Sequence, residues 1–438
     1  MLTRLLLLLT ALAVLATGCA GSPGPTPTPT RTPQAAGSPT APAVEASPTG
    51  AEPGGPTAPP ATRGPDVPAG GPTLDPNCEG MNIVPETTPA PRPTTVFRGR
   101  WPQLASPEYG IQAFLWWRPE VADRDLNFVR EMGFTWVKQG IGWRDVELAR
   151  GEYDWCRADR IVAQANAKAL NLLVRLDHTP EWAARPGDQG AQTRPADFAD
   201  FAGFCETVSA RYAGRVRAYQ VWNEPNLDRE WGMASPDPAE YVELLKACYE
   251  GIKRGDPEAI VISAGLAPTG TDTPQVIPDI KFVEGIYAAG GADYFDMLGF
   301  NAPGYAAPPE MSPDEAEAQY NGRWFCFRHV EDVRAVMVAN GDEDKQIAVL
   351  ELGWTTDPIH PDYSWFAVDE ATQADYLVRS YEYARENWQP WIGLMSMIYI
   401  ADPDWTEEHE QYWWAVTLPS YPETSVRPAY EALQAMPK

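Results

Sequence analysis

An alternation of short apolar runs with longer amphipathic segments limits what this chain can fold into. Runs at residues 110–116, 136–142, 172–177, 216–222, 259–264, 296–301, 346–352 and 392–399 read as buried strands. Between them, segments such as "DRDLNFVREM", "PAEYVELLKACYEGIKR" and "EATQADYLVRSYEYAREN" carry apolar residues at helical spacing, and "RPAYEALQAM" supplies a last helix. A strand buried on both faces, followed by a helix and another such strand, is a parallel unit, because the helix must carry the chain back along the sheet. About eight such units close a barrel, so the expectation for residues 96–438 is an α/β fold, a (β/α)₈ TIM barrel. An open doubly wound sheet is the competing arrangement. No G-x-G-x-x-G turn follows the first strand, which removes its best support in a dinucleotide-binding form.

The N-terminal part has a different texture. Residues 1–18 hold one basic side chain, Arg4, then an apolar stretch from Leu5 to Ala16. That stretch is shorter than the roughly 20 residues of a membrane span and reads as a signal peptide. "LATGC" resembles a bacterial lipobox, which implies cleavage before Cys19 and a diacylglyceryl anchor on its sulfur. The expected location is the outer side of a cell-surface membrane, touched only through that lipid. An ordinary signal peptide with an incidental cysteine is the plainer alternative. Residues 19–95, rich in Pro, Thr, Ala and Gly, hold too few large apolar groups to offset chain entropy and are expected to form a disordered stalk. The island "DPNCEGMNIV" within them is a candidate for docking on the domain.

Charge narrows the partners. Sixty acidic residues against 34 basic ones give a net charge of −26. A field of that sign repels phosphate backbones and disfavours uronate-like polyanions, so nucleic acid is not expected and neutral partners remain. Apart from Cys19, the cysteines Cys78, Cys156, Cys205, Cys248 and Cys326 show no C-x-x-C spacing, and the four histidines are scattered, so neither a metal nor a cofactor is expected. Export would permit disulfides. Spacing assigns none, and buried free thiols are the expectation for most of these cysteines.

In a barrel of this kind the C-terminal strand ends form the active face. Those ends carry Trp116 and Trp117, Trp143, His178 with Glu181 and Trp182, Trp222 to Glu224, Asn301 with Tyr305, Glu351 with Trp354, and Tyr399 with Trp405. Carboxylates, amides and indoles on one rim suit sugars, because aromatic faces stack on sugar C–H faces and carboxylates work at acetals.

Asn223-Glu224-Pro225 at the end of the fourth strand, with Glu351 in "AVLELGW" at the end of the seventh, resembles a large clan of retaining (β/α)₈ glycoside hydrolases. The stretch "GEYDWCRADRIVAQANAKALNLLVRLDHTPEWA" is similar to its cellulase-like and β-xylosidase-like members. The resemblance implies Glu224 as general acid/base, Glu351 as nucleophile and Asn223 as the partner of the sugar 2-hydroxyl. It also implies sugar-binding roles among His178, Trp143, Trp182, Asn301, Tyr305, Trp354 and Tyr399. Trp222 is expected to help raise the Glu224 pKa, and Pro225, lacking an N–H, to fix the turn. Two positions depart from the clan. Lys138 stands where an arginine near the nucleophile is common, with Arg175 as the other candidate for that task. Asn301 and Tyr305 replace a closely spaced histidine and tyrosine.

The expected function is an exported, lipid-anchored glycosidase acting on a neutral poly- or oligosaccharide with retention. A non-catalytic polysaccharide-binding lipoprotein and a transglycosylase on the same site are the alternatives. Several residues also fit plain structural roles: His178 as a satisfied histidine, Glu181 as a helix-start residue, Trp143 and Trp182 as core, Asp145 and Glu147 as braces of the loop after strand two.

Overall fold

The computed structural model describes Cys78 and residues 96–438, all within one unit of the chain. Its apolar runs become β1 (Glu108–Gln112), β2 (Trp136–Gly142), β3 (Asn171–Asp177), β4 (Ala218–Val221), β5 (Ile260–Ile262), β6 (Met297–Pro303), β7 (Gln346–Gly353) and β8 (Ile392–Met397). Each pairs in parallel with its neighbour in sequence, and β8 pairs with β1, closing a (β/α)₈ barrel. Every residue of β8 and nearly every residue of β7 is buried, as strands covered by helices outside and filled by side chains inside must be. Trp136, Leu173, Ile262, Met297, Leu350 and Leu394, from six strands, fill the interior.

One mouth of the barrel is plugged. An antiparallel ribbon, Val96–Arg98 with Trp101–Gln103, delivers Leu104 into the interior cluster. Its N–H donates to Gln346 Oε1 at 2.8 Å, and Gln346 Nε2 donates to its carbonyl at 3.1 Å. Gln346 begins β7, so the closed mouth is the N-terminal one and the open mouth is where the strands end.

The strands are followed by α1 (Pro119–Glu131), α2 (Cys156–Ala167), α3 (Phe198–Arg211), α4 (Pro238–Gly255), α5 (Asp279–Ala288), α6 (Val330–Ala339), α7 (Glu370–Asn387) and α8 (Pro428–Ala435). Their starts are written locally. Asp197, Asp237 and Asp369 accept backbone N–H bonds as N-caps of α3, α4 and α7, each worth about 1 kcal/mol. The first strand ends earlier than its apolar run. The Ala113 N–H still bonds Lys138 O at 3.1 Å, but the Leu115 N–H goes to the Gln139 side chain at 2.7 Å. Residues 113, 115 and 116 stay buried although the strand has ended, which is why hydrophobicity alone overruns it.

The cysteine expectation needs correcting. Cys78 is joined to Cys156 and Cys205 to Cys248, leaving Cys326 as a buried free thiol among the described residues. Pairing depends on which helices meet, and spacing does not encode it. α3 and α4 meet very closely: a Cβ on Gly251 would stand 2.4 Å from Ala202 O, so only glycine fits there. The second disulfide spans 43 residues across this contact. Replacing both Cys205 and Cys248 with alanine should cost roughly 2–4 kcal/mol in denaturant unfolding, because closing that loop restricts the unfolded chain. An unchanged midpoint and slope would show that the bridge contributes no net stability.

The signal peptide, Cys19 and the stalk lie outside the described residues, apart from Cys78, which is buried. Among the described residues no helix is long and apolar enough to cross a membrane.

Candidate active site

Several strand ends depart from ordinary backbone geometry. His178 after β3, Trp222 and Glu224 after β4, and Tyr305 after β6 all take positive φ, at 58°, 72°, 40° and 52°. Such conformations cost of order 1 kcal/mol or more each in non-glycine residues and persist only where neighbours over-determine them. At β4 those neighbours are visible. The Trp222 N–H donates to Leu176 O at 3.0 Å, its indole N–H to Glu230 O at 2.7 Å, and the Glu224 N–H to Gly265 O at 2.9 Å. Pro225 adds no donor, and the Leu227 N–H closes the turn on Glu224 O at 3.0 Å. The chain thus leaves the ladder abruptly and turns the Glu224 side chain into the open mouth.

A cavity of about 670 Å³ fills that mouth. Glu224, Glu351, Asn223, His178, Asn301, Tyr305 and Tyr399 line it, together with Arg175, Arg229, Glu230, Trp405 and Glu410. Asn301 Nδ2 donates to Glu224 Oε1 at 3.1 Å, and Arg229 Nη2 meets Glu224 Oε2 at 3.1 Å. Asn301 can come this close because residue 265 is glycine; a Cβ there would lie 2.2 Å from Asn301 Oδ1. Burial and then the charge of Glu351 push Glu224 up to about 7, against the opposing pull of Arg229.

Glu351 ends β7 in a different setting. Lys138 Nζ pairs with its Oε1 at 3.0 Å and also donates to Leu350 O at 3.2 Å. Lys138 is almost wholly buried, and that burial lowers its pKa, while Glu351 pulls the other way. Arg175 lines the cavity too, but its Nε pairs with Asp177 at 2.6 Å. Asp177 is shared with His178 Nδ1 at 2.5 Å and Gln192 Nε2 at 3.3 Å. Burial alone would raise the Asp177 carboxyl; Arg175 and then His178 outweigh it and hold the group well below the usual carboxylate range. A lysine thus stands against Glu351, and the arginine orients the histidine end of β3 through Asp177.

Both tyrosines feel carboxylates, Tyr305 through Asp279 and Glu224, and Tyr399 through three of the cavity's own. Burial first, then Glu351, Glu410 and Glu224 push the Tyr399 hydroxyl well above the usual range. The Tyr305 hydroxyl donates to Pro268 O at 3.2 Å. Tyr399 shares a wall with Phe114 and Trp405, ring centroids 5.6 and 5.4 Å away.

Three tryptophans expected at the sugar stand away from the cavity. Trp143 is fully buried, stacks on Phe204 and donates to Glu147 Oε2 at 2.6 Å. Trp354 is fully buried, donates to Ala307 O at 2.9 Å and leaves no room for a Cβ at Gly304. Trp182 packs edge-on against Trp143 and donates to Glu147 O at 3.2 Å. None of the three lines the cavity; they brace the loops around it, and Glu147 is the brace expected of it.

Other lining residues were not foreseeable as candidates from motif spacing. Arg229 and Glu230 lie on the single turn Asp228–Glu230, which the "NLDREW" continuation of the Asn223-Glu224-Pro225 motif encodes. Glu410 opens the short helix Glu410–Trp414 after β8, where no motif marks it. Burial pushes it up to about 7; a Trp414 bond opposes this, and the charge of Glu351 adds to it. Gln112 Oε1 and Asn301 Oδ1, on residues that line the cavity, are buried acceptors with no hydrogen-bond partner. Among the described residues no cluster of three or more His, Cys, Asp or Glu is arranged to hold a metal ion.

No known family model matches the chain. Solved structures share its fold. A family 39 glycoside hydrolase from the gut symbiont Bacteroides cellulosilyticus WH2 is 19% identical with a TM-score of 0.55, over 75% of this chain and 63% of that one. GH5_18 from Streptomyces cattleya, in complex with GlcNAc, is 14% identical with a TM-score of 0.56, over 76% of this chain and 79% of that one. The exo-beta-1,4-mannosidase Op5Man5 from Opitutaceae bacterium strain TAV5 is 14% identical with a TM-score of 0.51, over 81% and 62%. The chain therefore spans less than two thirds of the first and third of these proteins. What it shares with all three is the (β/α)₈ barrel on which these glycoside hydrolases are built.

Proposed function

We propose that the protein is an exported, lipid-anchored glycoside hydrolase that cleaves O-glycosidic bonds of a neutral poly- or oligosaccharide with retention at the anomeric carbon. One observation carries this reading: Glu224 and Glu351 share a cavity in opposite settings, one carboxyl pushed up to about 7 and the other paired with a lysine at 3.0 Å. A carboxyl raised by burial and a second one set against a cation can serve as acid and nucleophile.

In the first step Glu351 attacks the anomeric carbon as the glycosidic C–O bond breaks, and Glu224 gives its proton to the leaving oxygen. In the second, Glu224 takes a proton from water, which displaces Glu351 from the glycosyl-enzyme. Asn223 would hold the sugar 2-hydroxyl; His178, Asn301, Tyr305 and Tyr399 would surround the ring. Lys138, paired with Glu351 at 3.0 Å, would favour its carboxylate form before the first step. The fold shared with hydrolases of neutral sugars and the net charge of −26 support a neutral substrate, and two disulfides suit the oxidising side of a membrane. Cys19→Ser should release the protein from membranes or stop its processing; a mature protein with unmodified Cys19, by mass spectrometry, would remove the anchor from this reading.

The pH profile should follow Glu224. In the free enzyme the acid must be protonated, so kcat/KM should fall as pH rises through about 7. Arg229 favours the carboxylate form. Arg229→Met should therefore move this alkaline limb upward, by about one pH unit at most because the arginine is exposed to solvent. A limb that stays in place would assign it to another group. The deciding experiment is a panel of neutral glycans with the released anomer followed by NMR. Retention is expected; inversion, or no turnover of any glycan, would overturn the proposal.

A further inference from the structure

Four aromatic rings from the loops after β6 and β7 form a closed circuit at the edge of the cavity. Tyr305 meets Phe325 at 5.0 Å, Phe325 meets Trp365 at 5.4 Å, Trp365 meets Phe366 at 4.8 Å, and Phe366 returns to Tyr305 at 5.0 Å. Tyr305 and Phe366 line the cavity. Trp365, at the far corner, is 57% exposed.

The exposed indole is also held in place. Its N–H donates to Asp362 O at 3.1 Å, and Phe325 and Phe366 stand nearly perpendicular to it, at 89° and 83°. Edge-on neighbours fix a ring through its quadrupole, and the 57% exposure shows that much of its apolar area stays open. A large apolar group kept rigid in water costs solvation unless a ligand covers it, and exposed apolar surface that continues into a cavity marks a binding groove. We propose that Trp365 is a distal sugar-binding platform, on which a pyranose ring of the same neutral glycan chain stacks when its cleaved bond lies between Glu224 and Glu351. The occupant follows from continuity: the ring circuit runs without a gap from the cavity wall to Trp365. This assignment rests on the glycosidase reading above and extends it to substrates several sugars long.

The test uses the full chain, Trp365→Ala and Trp365→Tyr. With cello-, xylo- and manno-oligosaccharides of increasing length, kcat/KM of the native protein should rise until the chain reaches Trp365. Trp365→Ala should lose about tenfold on the long chains, the equivalent of about 1.4 kcal/mol, and nothing on the shortest. Trp365→Tyr, which keeps an aromatic face, should recover most of the loss. No loss at any length, or an equal loss at every length, overturns the platform. Retardation in native gels containing a soluble β-glucan, arabinoxylan or galactomannan separates this question from catalysis. If no glycan is turned over, the glycosidase reading fails, while the platform still requires that the native protein be retarded and Trp365→Ala not. Equal mobility of the two overturns it.

Discussion

Glu351→Ala will lower kcat by about 10⁴-fold or more, equivalent to about 5.5 kcal/mol or more of lost transition-state stabilisation. The size follows from the absence of a substitute. Of the other cavity carboxyls, Glu224 and Glu410 are each pushed up to about 7 and Glu230 is also raised, chiefly by burial, so none is a ready nucleophile in acid. The alanine variant also strands Lys138 in a site where it is 2% exposed. An unpaired buried cation is costly and would shed its proton, so a stability loss could imitate a catalytic one. Glu351→Gln separates the two, because its amide oxygen can still accept from Lys138 while its nucleophilicity is lost. Both variants should be inactive, and only the alanine should unfold measurably earlier. In the native protein a 2-deoxy-2-fluoro glycoside with a good leaving group should trap the first intermediate, and mass spectrometry should find the label on the peptide holding Glu351. A label elsewhere, or an active Glu351→Gln, would show that the nucleophile is another group.

Much of the barrel was legible in the sequence for a physical reason: its strands are buried on both faces and so appear as unbroken apolar runs. The same reason explains the overrun at β1, since residues 113, 115 and 116 are as buried as the strand, but the Leu115 N–H bonds to a side chain instead of a ladder. The tryptophans divide along the same line. An indole at a strand end has one composition whether it faces sugar or core, and Trp143, Trp182 and Trp354 turn out to brace loops. The disulfides and Glu410 were illegible because each depends on elements far apart in sequence meeting in space. Glu224 and Glu351, which both line the open mouth, could be assigned to that face from sequence because residue position along a barrel strand already fixes it, so a motif there needs no long-range information. Lys138 was readable in the same way, as the cation in the place of the clan's arginine, and it pairs with Glu351 at 3.0 Å.

Glu224→Ala should split the reaction by leaving group. With a poor leaving group, such as a second sugar, loss of proton donation should cost about 10²- to 10⁴-fold, the usual worth of general acid catalysis. With a 4-nitrophenolate or dinitrophenolate leaving group, no proton is needed and Glu351 should still be glycosylated at a rate near that of the native protein. The glycosyl-enzyme would then accumulate, because water has lost its base. Azide needs no base, so adding it should restore turnover and yield a glycosyl azide of the same anomeric configuration as the substrate. The alkaline limb near pH 7 should vanish in this variant, since the group pushed up to about 7 is gone. Asn301 and Arg229, which hold the two Glu224 oxygens at 3.1 Å each, remain and preserve the cavity wall. If azide gives no acceleration and the limb persists, Glu224 is not the acid/base, and Glu230 or Glu410, the other raised carboxyls in the cavity, becomes the group to test next.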